Sequence, residues 1–217
     1  MEIAPPSDPA KAERLATIGS NLAGMYGAGK YCRTESECFS LVEMSAEMAV
    51  SRDPALMLEF WEGWRKVSVP MKEIFIEQVS IANEGAKELG YANTSELWRT
   101  KYDMPAQEFP KELDRLWGQI QPFYESLHCH VRAELSDYYG EDIVPLDKPI
   151  PAHLLGNMWA QSWGNIYDIV KPQQEMNVPD VTKALAEQDY DEIKMVKQAE
   201  NFFSSLGFDP LPDTFYE

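Results

Sequence analysis

The sequence is poor in the residues on which most catalytic chemistry is built. It has three histidines and three cysteines in 217 residues. No histidine belongs to an H-E-x-x-H pair, so the chain carries no zinc-peptidase helix. His128 and His130 flank Cys129, but helical residues two apart point about 200° away from each other and cannot share a metal. There is no G-x-S-x-G, no P-loop and no G-x-G-x-x-G, which leaves the chain without a complete catalytic set of its own. No apolar run reaches the roughly 18 residues needed to span a membrane. Basic residues are scarce, 19 against 36 acidic ones, and the net charge of -17 repels nucleic acid and anionic lipid. A solvated acidic surface is the plain reading of that charge, and attraction of cationic peptides into a cleft is the sharper one. The N-terminal MEIAPPSDPAKAE lacks a basic and an apolar region, so it is not expected to act as a signal peptide. Period-2 strands of useful length, internal repeats and low-complexity tracts are also missing.

Helical patterning fills the rest, and 44% apolar content supports at least one real core. Asp8-Pro9 and Asp53-Pro54 are both an N-cap followed by proline at the first helical position. The first predicts a helix to about Tyr26, ended by Gly24, Gly27 and Gly29. A short Met-rich helix is expected over 39–51. The second cap opens a long pattern to Leu89, which Pro70 should kink or break and Gly90 should stop. Met71, Ile74, Phe75, Val79, Ala82, Ala86 and Leu89 keep its spacing. Helices are further expected over 94–102, 108–139 (bent at Pro122), 153–168, 180–188 and 190–206, with a loop at 140–151, a linker at 171–180 and a tail with no closing element. The class is all-α.

Three features are candidates for chemistry. In PIPAHLLGNMWAQSWGNIYDIV (149–170), His153, Asn157 and Gln161 stand at i, i+4 and i+8, with Asp168 continuing the line. The rest of the segment is apolar, so a buried helix with one polar stripe is expected. Its amides are either satisfied by neighbouring backbone or line a wet cleft, since an unpaired buried amide costs about 1–3 kcal/mol. In WEGWR (61–65), Arg65 stands beside Trp61 and Trp64. A partly buried guanidinium there needs an anion, either a carboxylate or a bound halide. Cys32 and Cys38 enclose the polar RTESE. Spacing alone leaves open a small disulfide or two unrelated thiols. Cys129, inside a helical pattern, is expected to be a buried free thiol.

The stretch 149–170, together with WEGWR, ELWRTKYDMP (96–105) and FFSSLGFDPLP (202–212), resembles the angiotensin-converting enzyme family of zinc peptidyl-dipeptidases. MYGAGKYC (25–32) and EMSAEMAVSRDPA (43–55) are similar to its bacterial branch. The resemblance implies the helical part of a two-lobed ellipsoid with a deep central cleft, into which the polar stripe would face. It implies an enzyme that releases C-terminal dipeptides from peptides with a free C-terminus, using zinc and chloride as cofactors.

Residue by residue, the resemblance makes Gln161 the ligand of the substrate's terminal carboxylate. Arg65 becomes a chloride ligand with Trp61 and Trp64 around it, Tyr102 a ligand of a second chloride, and Cys32 and Cys38 a disulfide. Glu43 stays unassigned. The zinc motif is absent from this chain, so residues 1–217 are expected to be part of one incomplete peptidase domain, lacking an N-terminal lid and the zinc-binding half. Alone it is expected to be inactive. The implied location is secreted or periplasmic. A non-catalytic peptide-binding module or an orphan fragment is the alternative, and an H-E-x-x-H in the reading frame past Glu217 would discriminate between them.

Overall fold

The computed structural model describes residues 3–172 and 179–216. It divides into two compact units, ending and starting at Lys171 and Pro172. In the first unit, Asp8 caps α1 (Pro9–Gly27) by accepting from the Ala10 N–H. Asp53 caps α3 (Pro54–Ser68) from the Ala55 and Leu56 N–H groups. Both helices therefore start at the aspartate-proline signals, where the proline's missing N–H costs nothing. Pro70 breaks the long pattern as expected: α3 ends, a 3₁₀ turn spans Val69–Met71, and α4 (Lys72–Glu88) follows. Gly90 then takes φ +88° and stops it. Between these lie α2 (Leu41–Val50), opened by a capping box of Ser40 and Glu43, and after them α5 (Thr94–Arg99) and α6 (Phe109–Tyr139), which runs on through Pro122.

Two apolar clusters hold this unit. Leu15, Ile18 and Leu22 of α1 pack on Ile81 and Ala82 of α4. The larger cluster centres on Met57, Phe60 and Trp64 of α3, with Met44 and Met48 from α2, Val131 and Leu135 from α6, and Leu154, Leu155, Met158 and Ile166 from the last segment. Burying each such side chain contributes about 1.5–3 kcal/mol. The N-terminal part of α6 is different. Leu113, Leu116, Trp117, Ile120, Tyr124 and Leu127 recur at helical spacing yet are exposed, as is Phe123.

Two expectations are corrected here, and a hairpin is added to the helices. A small antiparallel hairpin is present, β1 (Lys30–Cys32) on β2 (Cys38–Ser40), whose three-residue strands are too short to show alternation. Its register sets Cys32 opposite Cys38, and the two are disulfide-bonded. Cys129 is free but exposed, not buried. It is two residues from buried Val131, and on a helix that step turns it to the far side. The stretch 153–168 is not a helix. It is a 3₁₀ turn (Ala152–Leu154), a run of tight turns, a second 3₁₀ turn (Gly164–Ile166) and the one-turn α7 (Tyr167–Val170).

In the second unit, α8 (Val181–Glu187) and α9 (Glu192–Ser205) are capped by Asp180 and Asp191. Gly207 at φ +95° ends α9. The tail, expected to lack a closing element, carries a 3₁₀ turn at Asp213–Phe215. It is stapled back because the Glu200 carboxylate accepts both the Tyr216 hydroxyl and the Leu211 N–H, each at 2.7 Å. The linker expected at 171–180 lies mostly outside the described residues.

Native labelling with a thiol reagent should modify one cysteine per chain, Cys129, without denaturant. Three reactive thiols, or none until unfolding, would contradict the arrangement.

Candidate functional site

The residues singled out in the sequence meet, in part, where α3 packs on the segment 149–170. Arg65 is the joint. Its guanidinium lies 3.7 Å from the centre of the Trp61 ring. One amino group donates to the Trp61 carbonyl at 3.1 Å and to the Met158 sulfur at 3.3 Å, and the other to the Met158 carbonyl at 2.7 Å. Among the described residues no carboxylate pairs with it. Burial pulls its pKa below the usual arginine value, although a guanidinium stays charged. Of the two anions WEGWR left open, the intramolecular carboxylate is therefore not the one used among the described residues. Trp64 is buried instead, edge-on to Tyr26 at 5.2 Å. The Trp61 indole N–H is buried without a hydrogen-bond partner among the described residues.

The polar stripe does not form, because the helix it needs is absent. Gly156 adopts φ +84° and Ala160 φ +55°. A side chain at Gly156 would collide with the Ser162 carbonyl. Asn157 explains the departure. Its side-chain oxygen accepts the backbone N–H groups of Trp159, Gln161 and Ser162 at 3.3, 3.0 and 3.4 Å. An asparagine that bonds its own following backbone competes with the helix. Gln161 sits on this turn, exposed, and its side-chain amide makes no hydrogen bond among the described residues. Asp168 is pulled elsewhere, into a 2.9 Å ion pair with Arg52, which also holds the Asn165 carbonyl. That clamp joins residues 116 apart in sequence, and no local pattern could have revealed it.

His153 is half-buried against α3, and burial lowers its pKa below the ordinary histidine value while Glu62 opposes the shift. Tyr102 follows α5, with its ring stacked on Phe109 at 4.1 Å. No hydrogen bond, ion pair or ring contact joins it to Arg65 or Gln161 among the described residues. Glu43 accepts the Ser40 N–H and hydroxyl, both at 2.7 Å, and these bonds lower its pKa. It lines a cavity of about 340 Å³ with Arg33, Phe39, Glu47, Leu56 and Phe60. Around Cys129, the His128 ring meets the Tyr124 hydroxyl at 2.8 Å and the His130 ring meets the Val170 carbonyl at 2.9 Å. The described residues contain no group of three or more His, Cys, Asp or Glu placed to hold a metal ion.

A family model described as angiotensin-converting enzyme matches residues 1–217. The chain belongs to the angiotensin-converting enzyme family. It is 40% identical to the angiotensin-converting enzyme of Sus scrofa over 212 residues, 96% of this chain and 16% of that protein. It is 39% identical over 193 residues to the angiotensin-converting enzyme-like protein Ace3 of Mus musculus, 88% of this chain and 26% of that one. With the angiotensin-converting enzyme of Theromyzon tessulatum it shares 35% over 211 residues, 94% of this chain and 34% of the relative. The chain thus spans between about a sixth and a third of the length of these relatives. No helix among the described residues is long and apolar enough to cross a membrane.

The depressed pKa of His153 predicts a pH dependence. The unfolded histidine takes up a proton as pH falls through about 6.5, while the folded one resists it. Stability from this group is therefore present above pH 6.5 and lost as pH falls below it. His128 is depressed by burial too, and by Arg132, and acts in the same direction. His153→Gln should flatten, without abolishing, the fall in denaturation midpoint between about pH 6.5 and 5. An unchanged slope would show that His153 titrates alike in both states.

Proposed function

We propose that this chain forms one wall of the substrate cleft of a dipeptidyl carboxypeptidase, as part of a single larger peptidase domain. The observation that carries the reading is Gln161. Its exposed amide has no partner among the described residues, yet its backbone is held in a turn locked by Asn157 and pinned to α3 through Met158. A pre-positioned amide N–H suits a substrate's C-terminal carboxylate. A hydrogen bond to a charged group is worth about 1.5–3 kcal/mol. An uncharged donor orients the carboxylate without the longer, charged reach of an arginine, which agrees with release of a dipeptide rather than a single amino acid. Peptides with a free C-terminus are the substrate class.

Arg65 fits the anion that the family resemblance assigns to it. Its cation lacks a carboxylate partner among the described residues, and the neighbouring Trp61 indole N–H is buried and unused. In this reading Arg65 and the Trp61 N–H would hold chloride, whose charge offsets the half-buried guanidinium. Tyr102 is proposed for a second chloride on the strength of the resemblance alone. Zinc does not fit this chain, which has no H-E-x-x-H and no metal-holding cluster among its described residues. The role assigned to residues 1–217 is therefore binding and orientation. The exposed apolar stripe of α6 accords with a domain that continues beyond these residues, and the Cys32–Cys38 disulfide with a secreted or periplasmic protein.

On its own the 217-residue chain should release no dipeptide, and chelator-sensitive release by the purified chain would contradict the division of labour. In a catalytically active protein containing these residues, Gln161→Ala should raise KM for free-carboxylate peptides by roughly 10- to 100-fold. Peptides ending in an amide should be little affected. The kcat should change less, because the carboxylate is held in ground and transition states alike. An unchanged KM for free-carboxylate peptides would overturn the assignment.

A further inference from the structure

We propose that Asn157 is a positioning residue that acts through Gln161, fixing the turn on which the substrate-carboxylate donor stands. This rests on the reading of Gln161 given above. Asn157 commits both of its backbone polar groups and its side-chain oxygen to that turn. Its backbone N–H donates to the Ser162 carbonyl at 3.2 Å, and its carbonyl accepts the Ala160 N–H at 2.9 Å. Its side-chain oxygen takes three more N–H groups, the shortest bond being to Gln161 itself. All three partners are donors, which assigns the acceptor oxygen, not the amino group, to the inside of the turn.

The turn is tied down at both ends as well. The Arg65 guanidinium holds the Met158 carbonyl at 2.7 Å. On the far side the Trp163 indole N–H donates to the Ala160 carbonyl at 3.2 Å, and the Asn165 amide to the Gly156 carbonyl at 3.3 Å. Ala160 is kept at φ +55°, a conformation that a residue with a Cβ seldom adopts unless its surroundings impose it. Removing the Asn157 oxygen leaves three backbone N–H groups without their acceptor. The turn should then relax and carry the Gln161 amide off its line. Asn157 itself touches no substrate in this scheme.

The test is a double-mutant cycle in a catalytically active protein containing these residues. Asn157→Ala should raise KM for free-carboxylate peptides by about 3- to 10-fold and leave C-terminal amides unchanged. Asn157→Asp, which keeps the acceptor oxygen, should stay within about twofold of the parent. The pair Asn157→Ala with Gln161→Ala should be no worse than Gln161→Ala alone, since the first residue acts only through the second.

If Gln161→Ala raises KM and Asn157→Ala does not, the positioning role is wrong and the reading of Gln161 stands. Full additivity, or equal losses on carboxylate and amide substrates, overturns it too. If Gln161→Ala leaves KM unchanged, the reading of Gln161 falls and this inference falls with it. Amide hydrogen exchange on the unsubstituted chain needs no variant. The Gln161 N–H should exchange at least about tenfold more slowly than an unstructured amide, and free exchange would overturn the turn's role whatever the variants do.

Discussion

The contact on which the site depends is the bond from Arg65 to the Met158 carbonyl. It joins the last turn of α3 to a segment that returns 93 residues later, and it does so with a charge that burial disfavours. A guanidinium in that position cannot shed its proton, so it must be solvated by what surrounds it. Two carbonyls, a thioether and the face of Trp61 do this work. All four are neutral. They orient the cation without cancelling it, which leaves a net positive charge at the place where the turn that carries Gln161 begins.

The packing explains why α3 can bear this. The helix contributes Met57, Phe60 and Trp64 to the main core. Gly63 lets the Tyr31 ring of β1 lie directly on the helix, where a side chain would collide with it. Arg33 crosses from the hairpin to Glu59 on α3, at 2.5 and 3.0 Å, while the Tyr31 hydroxyl donates to the same carboxylate at 2.9 Å. The Cys32–Cys38 bridge closes the hairpin that holds both residues. The side of α3 facing the hairpin is thus braced by ion pair and disulfide. Its other side is then free to hold the turns of 149–170 through Arg65 and the buried Leu154, Leu155 and Met158.

What was legible in the sequence follows from the range of the forces involved. Aspartate-proline caps, the break at Pro70 and the stop at Gly90 act over one helical turn, and each stands where the residues indicate. The spacing of His153, Asn157 and Gln161 misled because a period of four also suits a succession of tight turns. What separates the two cases is whether the asparagine bonds its own following backbone, and Gly156 and Ala160 at positive φ show that it does. Cys129 was misplaced for a different reason. Buried Val131 and Leu135 fix the inward face of α6, and the argument that separates His128 from His130 on a helix also turns Cys129 away from Val131. The roles proposed for Gln161, Arg65 and Tyr102 come from the family resemblance, while the residue pattern alone marks only the stripe and WEGWR as candidates. Nothing local to Arg65 announces Met158, and nothing near Asp168 announces Arg52.

The acidic surplus sharpens the meaning of Arg65. The chain carries 36 acidic residues against 19 basic ones, so Arg65, which has no carboxylate partner among the described residues, is not short of candidates. Arg14 is paired with Glu77, Arg52 with Asp168 and Arg115 with Glu112. The Arg14 and Arg115 pairs lie at the surface and Arg52 is only partly covered, so the gain is small and the cost of desolvation is small too. At Arg65 burial makes an anion worth more, and there a built-in carboxylate would neutralise the cation permanently. Carbonyl ligands leave the charge in place. A fixed Glu or Asp beside Arg65 would also compete for the donors that hold the Met158 carbonyl, and would loosen the turn that carries Gln161. The neutral ligand set therefore has two consequences at once: it leaves the cation uncancelled among the described residues, and it commits that cation's donors to the backbone of the turn that carries Gln161.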